Sequence, residues 1–128
     1  MKTKRELLKS ISSFVRQYLE TALWSSTNED SEPLDRHFGI EDCTRSMIVQ
    51  AIADCAAFQS STADALSEYY AKGYSETDAG QDFWLSRNGH GAGFFDHGNE
   101  PCFRALQEAA RVWGSVNLYP YRRKVYAQ

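Results

Sequence analysis

The dipeptide Asn88-Gly89 lies between two short apolar runs of the chain, Phe-Trp-Leu before it and Ala-Gly-Phe-Phe after it. Asn-Gly between apolar runs is the strongest short-range signal for a β-hairpin with a two-residue turn. If these two residues form the turn, counting outward places Arg87 opposite His90. The sequence therefore predicts an antiparallel hairpin over residues 82–96.

This hairpin would gather polar side chains and glycines in one place. One face would carry Arg87 beside His90, and the other would carry Trp84 beside glycines that leave the backbone bare. We predict that Trp84, Arg87, Asn88 and His90 line a surface that binds a ligand or a partner. The alternative is structural, with Trp84 packed over the glycines and with local hydrogen bonds from the polar side chains.

Helical spacing of apolar residues marks two segments in the first half of the chain. The first follows a capping-box pattern at Thr3 and Glu6 and extends for about six turns. The second runs from Asp42 to Gly73, with a bend expected near residues 60–62, where small hydroxyl side chains compete for backbone hydrogen bonds. Two N-terminal helices are therefore predicted.

A third helix is predicted to begin after Asn99, with Pro101 in its first turn, and to end at Gly114. Weak alternation from Val116 to Tyr126 predicts one or two further strands. This order of elements predicts an α+β fold, in which a small antiparallel sheet is packed by helices.

The chain has 128 residues, a size typical of one domain that can bury a core without metals or disulfides. We predict a single domain, residues 1–128. Its three cysteines are an odd number, and no leader-like apolar stretch follows the first residues, so reduced thiols are expected. The sequence contains no apolar run of about 18 residues. We expect a soluble, cytoplasmic protein with no cofactor.

The net charge of −3 conceals a strong segregation of charge. Residues 1–20 carry five Lys or Arg against two Asp or Glu, and residues 101–128 carry five against one. Residues 21–100 carry four against fourteen. An acidic middle of this kind could meet a basic partner, but these charges are spread over loops and helix backs, which favours a merely solvated surface. The composition does not indicate bulk nucleic-acid binding.

A basic run near the end of the chain, Arg122-Arg123-Lys124, is surrounded by tyrosines 119, 121 and 126. Cations can contact phosphates and aromatic rings can stack on bases, so residues 119–126 are the best candidate for a nucleic-acid-binding module. The alternative is a sheet edge on which charge discourages aggregation.

Catalysis has a weaker basis in the sequence. A small hydrolase or nuclease would need His90 within about 3–4 Å of a carboxylate supplied by the loop 28–42. Cys102, near a helix start, is the only thiol in a position that suits a nucleophile. The chain has neither a CxxC pair nor an HExxH helix, so no metal site is predicted.

The segment Gly80-Gln-Asp-Phe-Trp-Leu-Ser-Arg-Asn-Gly-His-Gly-Ala-Gly-Phe94 carries a resemblance, together with residues 22–27, 33–35, 54–58 and 114–119. These segments resemble a family of small, mostly uncharacterised proteins encoded by bacteriophages and other mobile elements. The resemblance implies an accessory protein of the bacterial host cytoplasm that acts by binding, either inhibiting a host or defence protein or sequestering a small ligand. The chain departs from the family at residues 119–124, which replace a Gly/Asp-rich turn.

Overall fold

Six α-helices and one two-stranded antiparallel hairpin make up the fold of the computed structural model, which describes residues 1–128. The helices span Lys4–Ser10 (α1), Ser13–Ser25 (α2), Arg45–Ser61 (α3), Ala63–Ala71 (α4), Glu76–Arg87 (α5) and Pro101–Arg111 (α6), and the strands span Leu118–Tyr121 (β1) and Lys124–Ala127 (β2). Short 3₁₀ turns occupy residues 34–36, 40–42 and 94–97. The predicted α+β class is confirmed.

The first predicted helix is present but divided into α1 and α2. The capping box forms as expected, because Thr3 Oγ1 accepts from the Glu6 backbone and the Glu6 carboxylate accepts from the Thr3 backbone. The chain then becomes extended at Ile11, and Ser12 Oγ accepts from the Val15 backbone at 3.2 Å. A serine that caps a new helix thus interrupts the apolar periodicity.

The second predicted helix is likewise divided, at the bend that the sequence indicated. Thr62 leaves helical geometry, and its hydroxyl donates to the Phe58 carbonyl at 2.7 Å, which separates α3 from α4. The N-cap of α3 is Thr44 rather than Asp42, since Thr44 Oγ1 accepts from the Met47 backbone.

The prediction of a hairpin over residues 82–96 is wrong, because the chain up to Arg87 forms α5. This helix is buried on nearly every side, so it lacks the apolar stripe that identifies a surface helix. Asn88 is its C-cap, with the side-chain amide donating to the Trp84 carbonyl at 2.8 Å. Gly89 follows with φ +65°, the left-handed geometry that favours glycine after a helix.

The segment after α5 folds back onto the end of that helix. Gly93 has φ +135° and lies so close to Ser86 that a methyl group would overlap the Ser86 hydroxyl. That hydroxyl accepts from the Phe94 backbone at 3.1 Å and donates to Gln107 of α6 at 2.7 Å. The glycines of this segment therefore allow the chain to reverse direction in close contact with α5.

One continuous core of 26 buried residues joins the helices. Its centre is an aromatic cluster in which the rings of Phe58 and Phe83 stack with centroids 4.1 Å apart. The hairpin of β1 and β2 confirms the predicted C-terminal strands and attaches to this core through Val125, which is fully buried. The Thr44 backbone also donates to the Val125 carbonyl at 3.0 Å. None of the six helices combines the length and apolar character that a bilayer crossing requires.

Candidate functional site

The outer face of the C-terminal hairpin carries three tyrosine rings. Tyr119 pairs with Tyr126 across the strands, and Tyr121 pairs with Lys124, so these four side chains share one face while Val125 points into the core. Tyr119 is 43 % exposed and Tyr121 is 55 % exposed. The rings of Tyr119 and Tyr126 stack with centroids 5.3 Å apart, and the Tyr121 ring lies 6.3 Å from that of Tyr126. Tyr126 is half-buried, so this face is an aromatic platform with two exposed rings and a third that is partly covered.

The turn of this hairpin consists of Arg122 and Arg123, both with positive φ, at +49° and +67°. Positive φ at both central positions is the geometry of a type I′ turn, which normally selects Asn-Gly. Each non-glycine residue in this region costs on the order of 1 kcal/mol or more. The fold therefore tolerates backbone strain at the position where it presents two guanidinium groups beside the platform. Arg122 Cζ lies 5.3 Å from the centroid of the Tyr121 ring.

The three predicted cations of this region, Arg122, Arg123 and Lys124, have no carboxylate oxygen within 4 Å. The basic N-terminal end of the chain lies on the same side of the fold as β2. Arg45 Nε donates to the Lys2 carbonyl at 2.8 Å, and the residue before Arg45 is bonded to β2. Lys2 therefore lies near the start of α3, beside β2, and no ion pair neutralises the three cations of the hairpin.

Arg87, which the sequence predicts as a binding residue, lies in the interior and is 7 % exposed. Its guanidinium contacts Asp54 Oδ2 and Tyr18 Oη at 3.0 Å each. It also donates to the carbonyls of Gly114 at 2.8 Å and Trp113 at 3.1 Å. Arg87 therefore ties α2, α3 and α5 to the turn that leads into β1.

A groove of about 790 Å³ is lined by Tyr126 of the hairpin and by the ion pair of Asp54 and Arg87. Gln50 lies beside this pair, and its side-chain amide donates to Asp54 Oδ1 at 2.7 Å. The remaining wall is formed mainly by neutral side chains, which are Thr44, Ser46, Met47, Trp113, Ser115, Val116, Ala127 and Gln128.

Trp84 and Asn88, two further predicted binding residues, serve the packing of α5. Trp84 is 2 % exposed, and its indole N–H donates to Ser25 Oγ at 2.8 Å. Asn88 Oδ1 accepts from the Val116 backbone at 2.8 Å, which fixes the approach to β1. The structure does not place these side chains with Arg87 on one open surface.

His90 is exposed and borders a polar depression of about 300 Å³ together with Asn88. No carboxylate oxygen lies within 4 Å of its ring nitrogens. In the loop 28–42, Glu32 is instead close to Arg36 at 3.5 Å and to His37 at 3.6 Å. The structure therefore does not bring His90 together with the carboxylate that a hydrolase would need.

Sequence reasoning missed a cluster of the buried Tyr69 and Asp82 with the half-buried His97. Tyr69 Oη donates to Asp82 Oδ2 at 2.6 Å, and His97 Nε2 lies 2.8 Å from the same oxygen. The Tyr74 ring packs against the imidazole with centroids 4.2 Å apart. Burial raises the pKa of Asp82 and outweighs the hydrogen bonds from Tyr69 and His97, which lower it. The members come from α4, α5 and the 94–97 turn, so no local spacing in the sequence could reveal them.

Replacing Asp82 with asparagine should change how stability depends on pH. The raised pKa means that the folded protein holds the Asp82 proton more tightly than the unfolded chain does, whose value is near 3.8. The contribution of Asp82 is therefore fully present below that pH and is lost as pH rises through the folded pKa. Relative to Asp82→Asn, the wild-type free energy of unfolding should fall between about pH 3.5 and about pH 7.

Urea unfolding at both pH values measures this difference. The comparison is repeated with His97→Gln in both proteins, so that the imidazole does not contribute. A wild-type protein that gains stability over the asparagine variant as pH rises would contradict the assigned cause.

The chain's other reactive groups are enclosed. Cys43, Cys55 and Cys102 are free thiols in the core, and burial raises the pKa of Cys43 to about 12. Cys102, the thiol nearest a helix start, is 2 % exposed and therefore not placed to reach a substrate. No group of three or more His, Cys, Asp or Glu side chains is arranged to hold a metal ion.

Comparisons of the chain with protein-family models, with curated proteins and with solved structures gave no match. Of the surfaces described, the outer face of the hairpin combines exposed aromatic rings with cations that have no acidic partner.

Proposed function

We propose that the protein binds single-stranded nucleic acid through the outer face of the β1–β2 hairpin. The observation that carries this proposal is the placement of three tyrosine rings on one open strand face, beside a strained turn of two arginines. Bases of any sequence stack on aromatic rings, and neighbouring cations hold the phosphates. A duplex would conceal its base faces from such a platform, which favours a single strand as the ligand.

The charge at the turn of the hairpin supports the same ligand. The net charge of −3 predicts weak binding overall, and Glu29 and Asp30 lie near Tyr119, so the attraction for phosphate has to come from the turn. Arg122, Arg123 and Lys124 project from the hairpin without ion pairs, and the basic N-terminal end lies on the same side. Local positive potential, rather than net charge, governs the approach of a phosphate backbone. In this proposal the protein acts in the bacterial cytoplasm as an accessory binding protein.

The turn offers a variant that removes charge without weakening the hairpin. Arg122→Asn with Arg123→Gly installs the dipeptide that type I′ turns prefer, so the hairpin should persist or become more stable. If the arginines hold two phosphates, this double variant should bind a fluorescein-labelled ten-nucleotide oligo(dT) at least about tenfold more weakly. The slope of log K against log salt should also decrease by about 1.4. Fluorescence anisotropy over a salt titration measures both quantities.

A matched control removes the same charge elsewhere. Arg104 and Arg111 are exposed on α6, a helix that packs against α4 and α5, and neither forms an ion pair. Arg104→Gln with Arg111→Gln should leave the affinity and the salt slope almost unchanged, whereas Tyr119→Ala should weaken binding about fivefold or more. Equal affinities for all the variants, or no binding by the wild-type protein, would contradict the proposal.

A further inference from the structure

The two sides of the hairpin offer a bound strand very different surroundings. Tyr119 of β1 borders a depression formed by the loop that carries Glu29 and Asp30. Tyr126 of β2 borders the groove that also contains Asp54. The negative charge of the Asp54 carboxylate is balanced by Arg87. Phosphates are repelled by unbalanced carboxylates, so a strand that crosses the platform should continue over Tyr126 towards the groove.

The Asp54 carboxylate supplies hydrogen-bond acceptors to the wall of this groove. Asp54 Oδ1 accepts from Gln50, and Oδ2 accepts from Arg87. Each carboxylate oxygen can accept a second hydrogen bond, so both oxygens retain capacity for a ligand. The hydrogen bonds from Gln50 and Arg87 hold the carboxylate in one orientation, and the guanidinium of Arg87 balances its negative charge. A neutral ligand with two adjacent N–H donors fits this arrangement, whereas an anion does not.

We infer that the groove receives one base of the bound strand and that Asp54 selects guanine at this position; this inference rests on the proposed nucleic-acid binding. Guanine presents N1–H and the N2 amino group side by side, which matches the two oxygens of one carboxylate. Thymine offers a single N–H donor between two carbonyl oxygens, which the carboxylate repels. The groove volume of about 790 Å³ leaves room for a purine, and Tyr126 at its rim links the groove to the stacking platform.

The test compares nine-nucleotide oligo(dT) strands with a single central thymine, guanine or inosine. Inosine keeps the N1–H donor of guanine and lacks the N2 amino group. Competition measured by fluorescence anisotropy should rank guanine about tenfold tighter than thymine, with inosine between them.

A groove-filling variant provides the structural control. Asp54→Asn leaves Arg87 without its buried partner and can unfold the protein, so it is unsuitable alone. Gln50 is exposed on α3, and Gln50→Trp fills the groove while keeping the ion pair. This variant should lose the preference for guanine, so that strands with a central thymine, guanine or inosine bind with equal affinity. Val49→Trp adds the same ring at the neighbouring exposed position, outside the groove, and should keep the preference.

The outcomes separate this inference from the proposed function. Binding of oligo(dT) without any preference for guanine overturns the guanine site and leaves the hairpin proposal standing. A preference that survives Gln50→Trp also overturns it, because the base would then be recognised elsewhere. No binding of any strand overturns both.

Discussion

Replacing Arg87 with methionine should lower the free energy of unfolding by about 3–5 kcal/mol. The ion pair with Asp54 is buried, with side-chain exposures of 5 % for Arg87 and 12 % for Asp54. Removal of one member leaves a desolvated charge without its partner, and the carbonyls of Trp113 and Gly114 lose their donors as well. Urea unfolding followed by circular dichroism measures the loss.

Two further variants assign the cause of this loss. Arg87→Met with Asp54→Leu removes both charges and should recover part of the stability, since no unpaired carboxylate remains. Arg104→Met changes an exposed arginine of α6 and should alter the free energy of unfolding by less than about 0.5 kcal/mol. If Arg87→Met were as mild as Arg104→Met, the guanidinium network would not hold the elements together.

Replacing Gly80 with alanine should be nearly as damaging, at about 3 kcal/mol. Gly80 lies within α5, where alanine normally stabilises a helix by about 1 kcal/mol. A methyl group at this position would overlap the backbone carbonyl of Phe14 in α2. Backbone cannot move aside as a flexible side chain can, so α2 and α5 would have to separate within the aromatic core.

The sign of this effect is the decisive observation. Thermal unfolding should show a lower Tm for Gly80→Ala and an unchanged or higher Tm for Thr77→Ala, an exposed position of the same helix. A rise in Tm for Gly80→Ala would mean that α2 and α5 do not approach as closely as described.

The sequence predicted correctly those features that depend on residues only a few positions apart. The capping box at Thr3 and the hydroxyl cluster at residues 60–62 were both informative, because a helix cap and a helix bend depend on residues a few positions apart. The same holds for Pro101 in the first turn of α6, although its N-cap is Glu100 rather than Asn99. These features are consequences of short-range backbone hydrogen bonding.

The wrong prediction at α5 arose from tertiary packing rather than from short-range hydrogen bonding. A helix surrounded by other elements has no polar stripe, so its sequence resembles an apolar strand, and Asn88-Gly89 suits a helix end as well as a hairpin turn. The true hairpin turn carries Arg122 and Arg123, which no turn preference would select. Sequence preferences therefore failed where tertiary packing, or strain at an exposed turn, overrides them.

The candidate site was predicted in part for the same reasons. Arg122, Arg123 and Lys124 were identified because they are adjacent in sequence, and the hairpin places them beside the tyrosines. The groove could not be predicted, because Asp54 and Arg87 are 33 positions apart and meet only in the folded chain. Their contact is set by the packing of α3 against α5.

The hairpin contacts the helices through one face only, so the side chains of its other face can be replaced. Only one face of β1 and β2 meets the helices, and Val125 is its one fully enclosed side chain. The side chains of the outer face and the turn can therefore be substituted without repacking the core. A different set of rings and charges grafted onto residues 119–124 would change the surface that the hairpin presents and leave the helical body as it is.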